Sequence, residues 1–185
     1  MTITRLLAAV LAYVTLAASA QDNPVLVGRV SNVTDGDTIK VELSSGPISV
    51  RLGSIDAPES KQDGGAEAAK ALSGRVLQKE VALEVITQDR YERLVAVVYL
   101  GDENINEWMV KQGHAWVYRE YAKDPNYCVL EIAARSIKRG LWADPPWIAP
   151  WEWRRWQRDK NAKVYDYSDE TLADCIAALK KRPKR

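Results

Sequence analysis

Residues 38–52 read TIKVELSSGPISVRL and contain two alternating segments joined by a turn signal. Every second residue of Thr38–Leu43 is polar, which is the period of a strand with one face buried. Ser44–Pro47 has the serine, glycine and proline composition of a hairpin loop, and Ile48–Leu52 then alternates back. We therefore predict a β-hairpin here, extended to a three-strand meander by the β-rich segment Val25–Val33.

The segments after this meander show helical and strand periods in turn. Val81–Ile86 and Leu94–Leu100 have strand composition and are joined by a polar segment. The predicted helices are Ala66–Gln78, Glu103–Gln112 and Leu130–Arg139, the last two each followed by a glycine that would end them. Three strands, a helix, two strands and then helices predict an α+β fold, a five-stranded OB-fold β-barrel with about three helices and a C-terminal helical extension.

Beyond Leu141 the chain becomes rich in proline and tryptophan. We expect residues 146–185 to pack across the barrel rather than to stack on bases, because tryptophan buries a large apolar area. Ser168 predicts the start of a final helix, since serine is a favoured capping residue. Residues 180–185 read KKRPKR and form a basic tip, which we expect to be solvated and to add salt-dependent attraction to nucleic acid.

Residues 1–20 have the organisation of a secretory signal peptide. Arg5 provides a positive start, Leu6–Ala18 is apolar, and Ala18-Ser19-Ala20 is a small-residue cleavage site before Gln21. We interpret this segment as a cleaved signal rather than a membrane anchor, because the apolar run is short and no second span follows. We therefore expect a periplasmic or secreted protein without stable membrane insertion after cleavage.

The charge of the mature chain is balanced. Cleavage after residue 20 removes one of the 26 basic residues and none of the 25 acidic ones, which leaves equal numbers. A protein that bound nucleic acid through its overall charge would be more basic. Anion binding must therefore come from a local arrangement or from a bound cation. The balance is uneven, since residues 150–185 carry ten basic and six acidic side chains.

The chain has two cysteines, Cys128 and Cys175. In an exported protein an even count favours a disulfide over two separate buried thiols. Two cysteines and a single histidine, His114, make a zinc site of ordinary composition a poor hypothesis. We expect His114 to be structural, because it follows a helix-ending glycine.

Three polar clusters stand at the ends of predicted strands: Asp35-Gly36-Asp37, then Asp56-Ala57-Pro58-Glu59, then Asp89-Arg90-Tyr91-Glu92-Arg93. Each cluster alone also fits a solvated turn. Arg51 lies within an apolar alternating strand, where an arginine is costly to bury unless it pairs with a carboxylate or a phosphate. Carboxylates suit a hard cation and arginines suit a phosphate. Combined in one site, they would serve to cut a phosphodiester.

These clusters in this order resemble the staphylococcal nuclease (thermonuclease) family. The resemblance runs from Val27 to Trp142 and includes the Asn106-Glu107 helix start and the Gly140-Leu141-Trp142 segment. The run Pro150–Arg154 resembles the tail of exported bacterial members. We therefore interpret residues 21–145 as a nuclease domain of this type, followed by the proline- and tryptophan-rich segment.

The resemblance implies an OB-fold enzyme that hydrolyses DNA and RNA with calcium. Asp37 and Asp56 would be the metal carboxylates. Ala57 would contribute its backbone carbonyl, so that alanine is tolerated where the family often has threonine. Glu59 would position or deprotonate the attacking water. A carboxylate suits this role in a chain with one histidine.

The resemblance also implies that Arg51 and Arg93 bind the scissile phosphate. Glu92 departs from the family pattern, which has glycine before the second arginine. Glycine permits a positive φ angle at low cost. We expect one of two outcomes: a strained Glu92 that competes with phosphate for Arg93, or a rebuilt loop with Glu92 in solvent.

Three tyrosines are candidate substrate contacts, because stacking on an aromatic ring tolerates any base. They are Tyr91, Tyr118 and Tyr121. For Tyr91 we favour contact with the cleft. For Tyr118 and Tyr121 the alternative is that they pack their own loop.

The leading hypothesis is a monomeric, exported, calcium-dependent endonuclease acting on DNA and RNA. One alternative is a catalytically inactive or weak OB-fold module that binds nucleic acid or protein. A third is an extracellular structural domain, which would leave Arg51 unexplained. A binding module needs stacking residues and a basic groove. The set of carboxylates and arginines therefore favours chemistry.

Overall fold

The computed structural model describes residues 25–179 of the chain. The strands are β1 (Val25–Val33), β2 (Thr38–Leu43), β3 (Gly46–Leu52), β4 (Ile55–Asp56), β5 (Glu80–Gln88), β6 (Leu94–Leu100), β7 (Glu103–Asn104) and β8 (Trp116–Val117). The helices are α1 (Gly65–Val76), α2 (Ile105–Lys111), α3 (Asn126–Ser136), α4 (Pro150–Arg158) and α5 (Leu172–Leu179), with a 3-10 turn at Gly140–Trp142. The predicted signal peptide and the predicted basic tip lie outside the described residues.

The five long strands form a closed barrel, which confirms the predicted OB-type fold. The main sheet has the order β3-β2-β1-β5-β6-β7, in which neighbouring strands run antiparallel. A parallel pairing of β3 with β6, with Val50 opposite Leu94, closes the sheet on itself. Closure removes the open edges that the outer strands of a sheet would otherwise present.

The barrel interior is filled by alternate residues of its strands. The fully buried side chains include Ile39, Val41, Val50, Leu52, Leu83 and Val98. Helix α1 packs against β1 and buries Leu72 and Val76. Since successive side chains of a strand point to opposite faces, the alternation that buries Val50 and Leu52 turns Arg51 away from the interior.

Asn106 at the start of α2 ties this helix to the barrel. Its fully buried side chain accepts a hydrogen bond from the Val98 amide at 3.0 Å. It also donates to the carbonyls of Gly53 at 2.9 Å and Ala96 at 3.0 Å. Asn106 therefore satisfies three backbone groups that burial would otherwise leave unpaired.

The predicted helix boundaries differ from the structure by one to four residues, and the largest differences are at the starts of α3 and α5. Helix α3 begins at Asn126 rather than Leu130, because Pro125 starts its first turn and the Asp124 side chain accepts the Asn126 amide. Helix α5 begins at Leu172, and its cap is Thr171 rather than Ser168. The Thr171 hydroxyl accepts the Asp174 amide at 3.2 Å while the Asp174 carboxylate accepts the Thr171 amide at 3.1 Å, a reciprocal cap.

The C-terminal segment packs against the barrel, as predicted for most of its aromatic residues. Trp151 of α4 lies edge-on to Trp116 of β8, with ring centroids 5.7 Å apart, and its indole donates to the Tyr167 hydroxyl at 3.1 Å. Cys128 of α3 and Cys175 of α5 form the predicted disulfide, with Cα atoms 5.9 Å apart. Within residues 25–179, no helix has both the length and the apolar character needed to cross a bilayer.

Candidate active site

Arg51 on β3 contacts both predicted metal carboxylates, Asp37 and Asp56. Its Nη1 lies 2.7 Å from Asp37 Oδ1, and its Nη2 lies 2.7 Å from Asp56 Oδ1. Register explains the first contact, because Arg51 pairs with Thr38 at the start of β2, directly after Asp37. Asp56 follows from β4, five residues further along the chain. The structure therefore brings together three of the predicted site residues.

The Asp35-Gly36-Asp37 turn is built to hold the Asp37 carboxylate. The Asp37 amide donates to Asp35 Oδ1 at 3.0 Å, and the Thr38 hydroxyl donates to Asp37 Oδ1 at 3.2 Å. The Ala57 amide donates to Asp37 Oδ2 at 2.9 Å. A Cβ at Gly36 would lie 2.6 Å from the Ala57 Cβ, so only glycine permits this close approach.

Glu59 reaches the same site through an arginine that the sequence did not assign to it. Arg154 of α4 lies with Nη2 2.7 Å from Asp56 Oδ2 and Nη1 2.8 Å from Glu59 Oε1. The Glu59 side chain is 42% exposed, whereas the Asp56 side chain is fully buried. The site therefore combines buried carboxylates that can hold charge with one accessible carboxylate that can meet water.

Trp151 places α4 so that Arg154 can reach the carboxylates. The Trp151 ring stacks parallel to Tyr118, with centroids 5.7 Å apart and planes 2° apart. Arg154 follows three residues later, on the same side of the helix. Pro150 occupies the first turn of α4, a position that proline favours. In the sequence, Arg154 stands one helical turn after Trp151 in a segment that starts with a proline. This pattern does not indicate that Arg154 pairs with Asp56 or Glu59.

Burial dominates the electrostatics of Asp37. It raises the pKa of this carboxyl; Arg51 opposes the rise and Asp56 reinforces it, and the outcome is about 7. For Arg51 burial acts to lower the pKa, but attraction by Asp37 and Asp56 outweighs it and the pKa is raised. Burial acts in the same way on Arg154, whose pKa is raised by its hydrogen bonds to Asp56 and Glu59. Arg51 therefore does not fully offset the cost of burying the negative charge of Asp37 beside Asp56.

The chemistry of Asp37 and Asp56 fits a hard cation. Both carboxylates contact a single guanidinium, so they lie within reach of one ion, and a positive charge would offset the burial of Asp37. Calcium prefers such oxygen ligands. Within residues 25–179, no group of three or more acidic, histidine or cysteine side chains is arranged for a metal. Backbone, water or substrate oxygens would therefore complete the ligand set, in which Ala57 remains a predicted contributor.

Arg93 pairs with a different carboxylate, that of Asp89 in its own loop. Its Nε and Nη2 each lie 2.8 Å from Asp89 Oδ2, and its guanidinium carbon lies 5.6 Å from the Tyr91 ring centre. The parallel register of β3 and β6 still places Arg93 beside β3, since the next residue, Leu94, pairs with Val50. A role of Arg93 at the scissile phosphate stays a prediction.

The loop before Arg93 keeps the backbone shape that glycine would favour. Glu92 has a φ angle of 63°, in the left-handed region, and its side chain is exposed. The structure combines one part of each expectation: the positive φ angle is kept in a turn whose amides donate to the Asp89 carboxylate, and the Glu92 side chain lies in solvent. The partner of Arg93 is Asp89 rather than Glu92.

The three candidate tyrosines differ in their surroundings. Tyr91 and Tyr121 are 64% and 58% exposed. Tyr118 is half-buried between Trp151 and Tyr121, whose ring centroid is 4.7 Å away. Burial raises the pKa of Tyr118, and the Asp56 charge adds to the effect. Tyr118 therefore lies beside the site and packs its surroundings, and contact with substrate stays a prediction for all three.

Arg119, Glu131, Arg135 and Glu170 form a buried network of ion pairs that the sequence did not predict. Glu131 is fully buried, and its carboxylate accepts from Arg119 at 2.7 Å and contacts Arg135 at 2.5 Å. Glu170 pairs with both arginines. The Arg135 guanidinium lies 4.5 Å from the Trp142 ring centre. This network ties α3 to the segment before α5 and so supports the aromatic packing under α4.

Comparisons with known proteins agree with the site. A family model described as staphylococcal nuclease homologue matches residues 49–144. An Escherichia coli O157:H7 protein named uncharacterized endonuclease is 45% identical over 128 residues, which cover 69% of this chain and 84% of that protein. A Shigella flexneri protein named micrococcal nuclease is 41% identical over 167 residues, which cover 84% of this chain and 95% of that protein. The names of these relatives support the activity of an endonuclease, which hydrolyses phosphodiester bonds. The chain belongs to the staphylococcal nuclease family.

Proposed function

We propose that this protein is an exported, calcium-dependent endonuclease that hydrolyses phosphodiester bonds in DNA and RNA. The observation that carries the proposal is the convergence of Asp37, Asp56 and Glu59 on two arginines, Arg51 and Arg154. A module that only bound nucleic acid would not need buried carboxylates at that point.

The exposed fraction of each side chain supports the role that we propose for it. Arg51 and Arg154 are 19% and 30% exposed, so each keeps an accessible edge for the phosphoryl oxygens. Fixed guanidinium donors of this kind stabilise charge that develops in the transition state. Glu59 is accessible and accepts the proton of the attacking water. A cation held by Asp37 and Asp56, when bound, would polarise the phosphate.

Calcium is the proposed ion because the ligands are carboxylate oxygens, one in a turn before β2 and one at the end of the short strand β4. It accepts flexible coordination, whereas magnesium demands tighter octahedral geometry. Export is proposed from the signal-like residues 1–20 and is supported by the Cys128–Cys175 bridge, since disulfides persist in oxidising compartments.

The proposal is tested by expressing the full chain with residues 1–20, purifying the product from the periplasmic fraction, and measuring its cleavage of closed circular plasmid and of RNA. We expect nicking with calcium, weaker nicking with magnesium, and none in excess chelator. Nicking of a closed circle requires internal cleavage, so it also tests the endonuclease assignment. Full activity in chelator would overturn the metal assignment, and binding of both substrates without cleavage would support the inactive module. A mature N-terminus other than one near Gln21 would argue against the signal peptide.

A further inference from the structure

Helix α4 borders an open cleft that begins at Glu59. The cleft has a volume of about 400 Å³ and is lined by Glu59, Lys61, Trp153, Arg154, Gln157 and Arg158. We call it the α4 cleft. Because Arg154 and Glu59 belong both to this cleft and to the candidate active site, the two are continuous. A substrate strand that leaves the active site on this side must pass over α4.

The α4 cleft is positively charged in a protein whose mature charge is balanced. Three basic side chains line it, and Glu59, its one acidic side chain, is paired with Arg154. Lys61 and Arg158 are exposed and form no ion pair within residues 25–179. Arg154 and Arg158 are four residues apart on one helix face, about 6 Å along the axis. Both therefore face the same path, and a chain of phosphates complements this charge.

Trp153 is the tryptophan that α4 presents to the cleft. Its side chain is partly exposed, and its ring centroid lies 5.3 Å from that of Trp156. The Lys160 Nζ covers the Trp156 ring, 3.6 Å from the ring centroid. Trp151 on the same helix does not line the cleft and packs in the aromatic cluster with Trp116. The cleft therefore combines one partly exposed aromatic ring with flanking cations, the pairing that proteins use to bind single-stranded nucleic acid.

We propose that the α4 cleft is a substrate subsite, in which a base of an unpaired strand stacks on Trp153 while Lys61 and Arg158 contact the adjoining phosphates. The proposal rests on the proposed nuclease function and extends it. Arg154 joins the subsite to the reacting phosphate. The base must be unpaired, because a base within a duplex has no free face for the ring.

Binding of a fluorescent phosphorothioate oligothymidine in chelator tests the subsite without cleavage. Trp153→Ala should raise Kd at least about five-fold, which is the low end for loss of one stacked base. Tyr165→Ala removes an exposed aromatic ring outside the cleft and is the matched control, with a change below about two-fold. Trp153→Tyr should restore most of the affinity, because it keeps an aromatic face.

Salt dependence tests the phosphate contacts. Arg158→Gln should lower the slope of log Kd against log salt concentration by about 0.7, the value for one contact to a single strand. Lys111→Gln removes an exposed charge from α2 outside the cleft and should leave the slope unchanged. Arg158 is exposed, so this variant stays informative if Trp153→Ala fails to fold.

The outcomes separate the subsite from the nuclease assignment. A folded Trp153→Ala with wild-type Kd, or equal losses in Trp153→Ala and Tyr165→Ala, would overturn the subsite. An unchanged salt slope in Arg158→Gln would overturn the phosphate contacts. Plasmid cleavage by the wild-type protein is measured in parallel. Its absence beside the expected binding changes would overturn the nuclease function and leave the subsite standing.

Discussion

At the residue scale, Arg154 competes for the oxygens that a cation would use. It contacts both Asp56 oxygens, one of which it shares with Arg51, and it also holds Glu59. A cation at Asp56 must therefore displace at least one arginine contact or accept a positive neighbour. The same contact orients Glu59, so Arg154 has opposite effects on ion binding and on chemistry.

We expect Arg154→Gln to lower the Kd for calcium several-fold and to lower kcat at least about tenfold. The first effect follows from removal of a positive charge a few ångströms from the ion, worth about 1 kcal/mol or more. The second follows because Glu59 loses its orienting partner. Isothermal titration calorimetry gives the Kd and steady-state kinetics give kcat. Arg155→Gln, at the next residue and paired with Glu152 instead, is the control. An unchanged calcium Kd in Arg154→Gln would show that the two cations do not compete.

Arg51 bridges two carboxylates in a way that lysine cannot copy. One ammonium cannot donate in parallel to Asp37 and Asp56 as the guanidinium does. We expect Arg51→Lys to lower kcat/KM at least about tenfold, and Arg93→Lys to do the same if Arg93 meets the phosphate. Arg90→Lys in the Arg93 loop is the matched control. Near-normal kinetics in Arg51→Lys and Arg93→Lys would remove both residues from the site.

Glu92 carries backbone strain without holding Arg93. A left-handed φ angle costs a non-glycine residue about 1–2 kcal/mol, and glycine gives back about 0.5–1 kcal/mol through its freedom in the unfolded chain. We therefore expect Glu92→Gly to raise the free energy of unfolding by up to about 1 kcal/mol in urea denaturation. Since Arg93 pairs with Asp89, kcat/KM should stay within about two-fold. A several-fold rise at low salt would instead show that Glu92 restrains Arg93.

At the scale of elements, the start of α1 fixes the loop that carries Glu59. The Gly65 amide donates to the Gln62 carbonyl at 3.0 Å, and a Cβ at Gly65 would lie 2.0 Å from the Glu59 carbonyl oxygen. Only glycine permits the helix to begin this close to the loop. The position of the Glu59 backbone is therefore set by the first residue of a helix six positions later.

We expect Gly65→Ala to lower kcat and to destabilise the fold by about 1–3 kcal/mol, because the clash with the Glu59 carbonyl must be relieved by a backbone shift. Gly74→Ala is a matched control on the same helix, since a Cβ there meets nothing within 4 Å. It should raise the free energy of unfolding by up to about 1 kcal/mol and leave kcat unchanged. Equal kcat in the two variants would contradict the proposed link between α1 and Glu59.

At the scale of the whole molecule, one disulfide encloses the segment that carries Arg154. Cys128 and Cys175 are 47 residues apart, and α4 lies between them in sequence. Both cysteines are fully buried in the main core. The bridge at Cys175 and the ion pairs of Glu170 therefore hold the part of the C-terminal segment after α4 to α3, while Arg154 contacts the active site.

We expect the double variant Cys128→Ala, Cys175→Ala to lose about 4 kcal/mol of unfolding free energy, the chain-entropy value for a 47-residue loop. Urea denaturation with and without dithiothreitol measures it: reduction should destabilise the wild-type protein and leave the double variant unchanged. Mass spectrometry of non-reduced peptides should find the Cys128–Cys175 pair. Free thiols in protein prepared from a periplasm would contradict the bridge.

Sequence alone was sufficient for the features that depend on neighbouring residues. Period-two alternation in Thr38–Leu43 and Ile48–Leu52 identified the hairpin, because each strand buries one face. The same alternation marked Arg51 as an arginine that needed a partner. Asp37 and Asp56 were identifiable as polar residues at strand ends, and the even cysteine count predicted the disulfide.

Only the tertiary structure decided which distant groups meet. Arg154 and Asp56 are 98 residues apart, and neither carries a local signature of the other. The pairing of Arg119 with Glu170, which are 51 residues apart, was equally invisible in the sequence. The physical reason is that periodicity and capping report interactions within a few residues. The contact of Arg51 with Asp37 depends on the register of β2 with β3, and the contact of Arg154 with Asp56 depends on the packing of Trp151, which places α4.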